Sequence, residues 1–220
     1  ASTPYQPPIK AQSSVTWNTP AYVPANRQLF VASSLQKLAK LTAGNSLRAL
    51  GDKDLENPVS GPLAALGSYV VAVSTTSAGD EVSFFDANSL EMISSVSTEG
   101  RVVSGPHVVG DLCLVQAGET LLAFDSEGGK AWSLPFSKSR IVGKPVEQNG
   151  SLLLGTISGE IWMCNLSTGE WIGNLDTRQE LSSAPQLIGP GILVGSGEGS
   201  VLAIRKPTKV TLGSGSGGSQ

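Results

Sequence analysis

Five prolines (Pro20, Pro62, Pro106, Pro145 and Pro185) each precede a short apolar run, and they stand 42, 44, 39 and 40 residues apart. A repeat of about 40 residues dictates architecture, because one such unit cannot bury its apolar surface alone and must stack on its neighbours. Each unit has the same internal order. A short run follows the proline (PAYV, PLAAL, PHVVG, PVEQ, PQLIG), then a more hydrophobic one (QLFVAS, YVVAVS, LCLVQA, LLLGT, ILVGS). A turn rich in Gly and acid comes next (SAGDE, AGET, ISGE, SGEGS), then a third run (EVSFFD, TLLAFD, EIWMCN, SVLAIR) and a fourth (LEMISSV, KAWSLPF, EWIGNL, TKVTL). The first unit diverges, with KLAKLT third and SLRAL fourth.

Runs of four to eight residues separated by Gly, Asp and Asn read as strands and tight turns, and no long 3.6-residue period is present to suggest helices. The second runs are almost continuously apolar, as expected of strands covered on both faces. The pattern predicts an all-β chain of four-stranded antiparallel blades arranged as a β-propeller, either a closed five-bladed ring or part of a larger propeller. Units start near residues 19, 61, 105, 144 and 184 within a repeat region at 13–212, between a polar lead at 1–12 and a Gly/Ser tail at 213–220 that reads as a flexible linker. The segment SSVTW (13–17) competes with KVTL (209–212) for the place of an outer strand closing the ring.

The stretch LLAFDSEGGKAW (121–132) shows how one turn is built. Asp125 is expected to cap the turn with its carboxylate, Gly128 and Gly129 to supply backbone freedom, and Trp132 to pack its ring against a neighbouring blade. FFDANSLEMIS and MCNLSTGEWIG repeat it. These segments resemble the tryptophan-docking repeat of the pyrroloquinoline-quinone-type propellers, roughly Ala-x-Asp-x-x-Thr-Gly-x-x-x-Trp, at Ala123, Asp125, Gly129 and Trp132 and again at Thr168 and Gly169. Asn165 replaces the Asp, and Trp171 arrives early. The resemblance spans about residues 19–212. It implies either a quinoprotein dehydrogenase or a non-catalytic relative, such as the periplasmic lipoprotein of the outer-membrane assembly machinery, and with the latter an extracytoplasmic, periplasmic location.

The chain lacks what the dehydrogenase needs. The adjacent cysteine pair usual in that family is missing, since Cys113 and Cys164 lie 51 residues apart in apolar flanks that suit buried side chains. The expectation is a chain that is not an enzyme and has no cofactor, metal or catalytic residues. His107, the single histidine, reads as a packing or solvated residue of an innermost strand. The net charge of −3 offers no basic surface for nucleic acid, and no apolar segment reaches the ~18–20 residues of a membrane span.

What remains is a protein-binding scaffold that uses one end face and the loops on it. The candidate binding residues are the aligned turn acids Asp80, Glu119, Glu160 and Glu198, the linker residues Arg101, Arg140 and Glu180, each five positions before its proline, and His107. The bland reading of the acids is turn chemistry and solubility, and that of Arg beside Glu is ion pairing between blades. Two other readings are a small-molecule or sugar binder, or degenerate quinoprotein, with its ligand at the channel mouth, and a propeller fragment that assembles with other blades.

Overall fold

The computed structural model describes residues 15–44 and 47–205, and all the regular structure there is β apart from one 3-10 turn at Pro24–Asn26. The strands form five antiparallel meanders in chain order. Sheet 1 is β1 (Ala21–Val23), β2 (Gln28–Ser33), β3 (Lys37–Thr42) and β4 (Ala49–Asp54), and sheet 2 is β5 (Ala64–Leu66), β6 (Tyr69–Thr75), β7 (Asp80–Asp86) and β8 (Met92–Thr98). Sheet 3 is β9 (Val102–Val109), β10 (Leu112–Ala117), β11 (Thr120–Phe124) and β12 (Lys130–Pro135), and sheet 4 is β13 (Val146–Gln148), β14 (Ser151–Gly155), β15 (Glu160–Asn165) and β16 (Trp171–Asp176). Sheet 5 contains β17 (Gln186–Ile188), β18 (Gly191–Gly195) and β19 (Val201–Arg205). The lead at 1–12, the expected last strand KVTL and the Gly/Ser tail lie outside the described residues.

The chain divides into two compact bodies, Ala1–Pro135 with sheets 1–3 and Phe136–Gln220 with sheets 4 and 5. In the first body the innermost strands lie side by side, β1 against β5 and β5 against β9. The second strands β6, β10 and β14 are covered on both faces, as their continuous apolarity predicts, whereas β18 alternates buried with half-buried residues. Val70 and Ala72 of β6 join Phe30, Ala32 and Leu38 of sheet 1, while Val71 and Val73 of the same strand face Cys113, Val115 and Phe124 of sheet 3. Phe84 and Phe124 meet across that second interface with ring centroids 5.8 Å apart. In the second body Leu153 and Ile161 pack against Ile192 and Val194. Period-2 side-chain alternation thus gives one strand to two cores.

Three expectations need correction. The fourth strand of sheet 1 is Ala49–Asp54 rather than SLRAL, because the strand continues as a polar edge whose Asp52 and Asp54 both pair with Lys37 across β3 and β4, at 2.8 and 2.7 Å. The first strand of sheet 3 begins at Val102, four residues before its proline. Trp17 is not in an outer strand: it forms a bridge to Ser33 at the end of β2 in its own sheet. That position recurs as Val59 with Ser74, Ile141 with Thr156 and Leu181 with Ser196, and in sheet 3 as Val102 with Ala117. The segment entering each sheet therefore adds a rung to the second strand, before the first strand in sheets 1, 2, 4 and 5 and as the start of β9 in sheet 3.

Candidate functional site

The aligned linker residues owe their spacing to the backbone. The carbonyls of Arg101, Arg140 and Glu180 accept hydrogen bonds from the N–H groups of Gly118, Ile157 and Gly197, at 3.0, 2.9 and 2.8 Å, in the turn after the second strand. Pro58 and Thr16 do the same for Thr75 and Ser34 in sheets 2 and 1. In every sheet this tether brings the incoming linker to the turn after the second strand, which in sheets 2–5 carries the aligned acids. A backbone group held this way loses its freedom whatever side chain it bears.

The side chains differ. Asp80 is 4% exposed, so at this position the acid is not a solvated loop tip. One carboxylate oxygen accepts from Arg101 Nη1 at 2.7 Å and the other from the Val102 N–H at 2.8 Å. An ion pair between Arg101 and Asp80 thus joins the linker to the turn, and Arg101 remains 58% exposed. Glu160 is half-buried, and its Oε2 accepts from the Ser137 hydroxyl at 2.6 Å. Glu119, Glu198, Arg140 and Glu180 are exposed. His107 is half-buried on β9, opposite Leu114, with Nε2 3.0 Å from the Ser104 hydroxyl.

A hydroxyl clamp at the same end does not stand out in the sequence until the repeats are superimposed. Thr98 Oγ1 lies 2.8 Å from the Asp80 carbonyl and 2.7 Å from that of Gly100; Thr177 Oγ1 lies 2.8 Å from Gly159 O and 2.9 Å from Gln179 O. Ser137 occupies the corresponding position between them, 39 residues after Thr98 and 40 before Thr177. That hydroxyl spacing is the signal that would have found the clamp. It ties the end of the outer strand to the turn bearing the acids.

The opposite end of each sheet is built from the turn first read in LLAFDSEGGKAW. Asp125 Oδ1 accepts from the N–H groups of Glu127 and Gly129 at 2.9 and 2.8 Å, and Asn165 Oδ1 accepts from Ser167 and Thr168 at 2.9 and 3.0 Å. At Asp86 the acceptor is again one oxygen, and the Ser89 N–H foremost, with that of Asn88 and the Ser89 hydroxyl, holds the carboxyl below its ordinary range. Gly128 has a φ of +79°, and a Cβ there would come within 2.7 Å of Ser94 Cβ in sheet 2. Gly129 does not share that conformation; a side chain there would strike the Asp125 carboxylate. Trp132 is buried at 8% exposure, and Trp162 lies between Phe136 and Trp171 in tilted contacts, with centroids 4.8 and 4.2 Å away.

Both cysteines are free and fully buried, and burial pushes each thiol up to about 12. Among the described residues no group of three or more His, Cys, Asp or Glu is placed to hold a metal ion, and no helix is long and apolar enough to cross a membrane.

No family model matches the chain, and no curated protein matches it. Solved structures do. BamB from Moraxella catarrhalis superposes with a TM-score of 0.55 at 16% identity, over 86% of this chain and 73% of that one. The computationally designed Ika8 protein gives 0.62 at 15%, over 82% and 56%, and Kluyveromyces lactis Hsv2 gives 0.59 at 15%, over 87% and 60%. The fold is a β-propeller. Five successive antiparallel sheets and these neighbours establish it, and identities this low carry the fold alone. The chain spans little more than half the length of Ika8 and three-fifths that of Hsv2.

Proposed function

We propose that this chain is a non-catalytic propeller scaffold that binds another protein through the end of its blades where linkers and second-to-third-strand turns meet. The observation that supports this most is the tether repeated in all five blades, a linker carbonyl bonded to a turn N–H, with exposed Arg140, Glu180 and Glu198 on or beside it. A backbone ordered beforehand adds little further entropy cost when the charged side chains on it dock. Asp80 and Arg101 act within this reading as structure, and His107 as a residue satisfied by Ser104. The likeness to BamB favours an extracytoplasmic setting for such a scaffold.

The test places a photo-crosslinking residue at Arg140, Glu180 or Glu198 and, as a control at the opposite end of a blade, at exposed Glu127. Crosslinking to one and the same protein from the first three positions and not from Glu127 is expected. Crosslinking from Glu127 alone, or from none of the four, would contradict the proposal.

A further inference from the structure

One repeat position is buried in four sheets and bare in the fifth. Leu38, Val82, Leu121, Ile161 and Val201 follow one another at 44, 39, 40 and 40 residues. Each pairs with the residue of the second strand just before its rung position: Ala32, Val73, Gln116, Gly155 and Gly195. The first three are fully buried and Ile161 is 3% exposed, whereas Val201 is 71% exposed. The cores show what covers this face. Leu38 shares one with Val70 and Ala72 of sheet 2, Val82 with Cys113 and Val115 of sheet 3, and Ile161 with Ile192 and Val194 of sheet 5. In each case the cover is the opposite face of the second strand in the sheet that follows. On sheet 5 the same face as Val201 carries Ile188, Leu193 and Ala203, and Ile188 is 59% exposed. Scattered apolar residues on a surface are ordinary, but these share one face that forms a core elsewhere in the chain.

Sheet 1 has the complementary deficit. The covering positions of the second strand are fully buried as Val70 with Ala72, Cys113 with Val115 and Leu152 with Leu154. Their counterparts on β2, Leu29 and Val31, are only half-buried, and Tyr22, opposite Leu29 on β1, is 46% exposed. Sheets 5 and 1 thus each carry one half of the interface that the repeat uses between its sheets. The stretches 1–14 and 206–220, outside the described residues, are each too short for a unit of ~40 residues that could cover either half.

We infer that the Val201 face of sheet 5 docks on the Leu29 and Val31 face of sheet 1 in a second copy of this chain, repeating between molecules the contact that Ile161 makes with Ile192 and Val194. This is an interface additional to the blade end of the scaffold reading and does not depend on it. Two different faces meet, so the contact is head-to-tail and its rotation decides whether copies close into a ring or extend. Three strands ~4.8 Å apart, five residues long at ~3.3 Å each, span roughly 240 Å² of face. That is well below the ~800 Å² per partner of a standard interface, so association is expected to be weak and concentration-dependent.

Sedimentation velocity of the full chain over a concentration series should show the mean mass rising above that of the monomer. Val201→Glu, at a side chain exposed enough to leave the far-UV circular dichroism unchanged, should abolish the rise, and Ile93→Glu, at an exposed apolar residue of β8, should not. A photo-crosslinking residue placed at Val201 should give a covalent dimer whose joined peptide contains Leu29 or Val31. A monomer at every concentration, association that survives Val201→Glu, or a dimer crosslinked through another face would overturn the inference. So would a crosslink from position 201 to β2 within one chain, which would mean that a single copy brings the two faces together.

Discussion

At the scale of single residues, energy is concentrated in side chains that satisfy backbone groups rather than in those that merely carry charge. Asp80 and Arg101 form one ion pair, yet their substitutions are not equivalent. Arg101→Ala removes a half-exposed cation and is expected to cost no more than ~1 kcal/mol, since solvent screens the pair. Asp80→Ala also leaves the Val102 N–H without its acceptor and is expected to cost about 1–3 kcal/mol more, measured by urea unfolding. Equal losses for the two would show that the charge pair, not the backbone bond, matters. In the same way Asp125→Ala should cost on the order of 1 kcal/mol and Asp125→Asn much less, since Asn165 makes the same turn with an amide oxygen. The turn chemistry was readable from the sequence because Asp, Asn and Gly act locally. The burial of Asp80 was not, since it depends on a linker arriving 21 residues later.

At the scale of strands, the second and third runs of each repeat were legible almost to the residue, QLFVAS, LCLVQA, KLAKLT and EIWMCN coinciding with β2, β10, β3 and β15. The apolarity of the second runs reflects burial that reaches both faces in β6, β10 and β14. The outer strands were less legible. β4 has only half-buried and exposed residues, ALGDKD, and its register comes from Lys37 holding Asp52 and Asp54 rather than from a hydrophobic pattern. Trp17 was misplaced because a single rung on the second strand carries no periodicity to read. The strand cores also yield two predictions. Phe84→Ala, which empties the contact with Phe124, should cost about 3–5 kcal/mol in chemical denaturation. The thiols of Cys113 and Cys164 stay protonated in the folded chain up to about pH 12, whereas an unfolded thiol ionises near pH 9.0. Their contribution to stability is therefore complete below pH 9.0 and falls as pH rises from there toward 12, because only the unfolded state releases the proton. A Cys113→Ala, Cys164→Ala variant should show a shallower loss of stability over that alkaline window, and an unchanged slope would refute the assignment.

At the scale of the molecule, the period of the prolines was enough to predict sheets that share cores, and the sheets in each body do so. The candidate site was only partly legible: the spacing of Arg101, Arg140 and Glu180 marked a real structural position, but its regularity belongs to carbonyls that any residue supplies. A groove between sheets 2 and 3 had no sequence signal, because its lining comes from two different repeats. The account as a whole stands on five copies of one sheet, each burying residues of its second strand in a core. Native-state hydrogen exchange read by mass spectrometry addresses that directly. Slow exchange is predicted over Gln28–Ser33, Tyr69–Thr75, Leu112–Ala117, Ser151–Gly155 and Gly191–Gly195, with fast exchange in the turns between. Protection that ignores this period, or any of those five strands exchanging as fast as the turns beside it, would contradict the account.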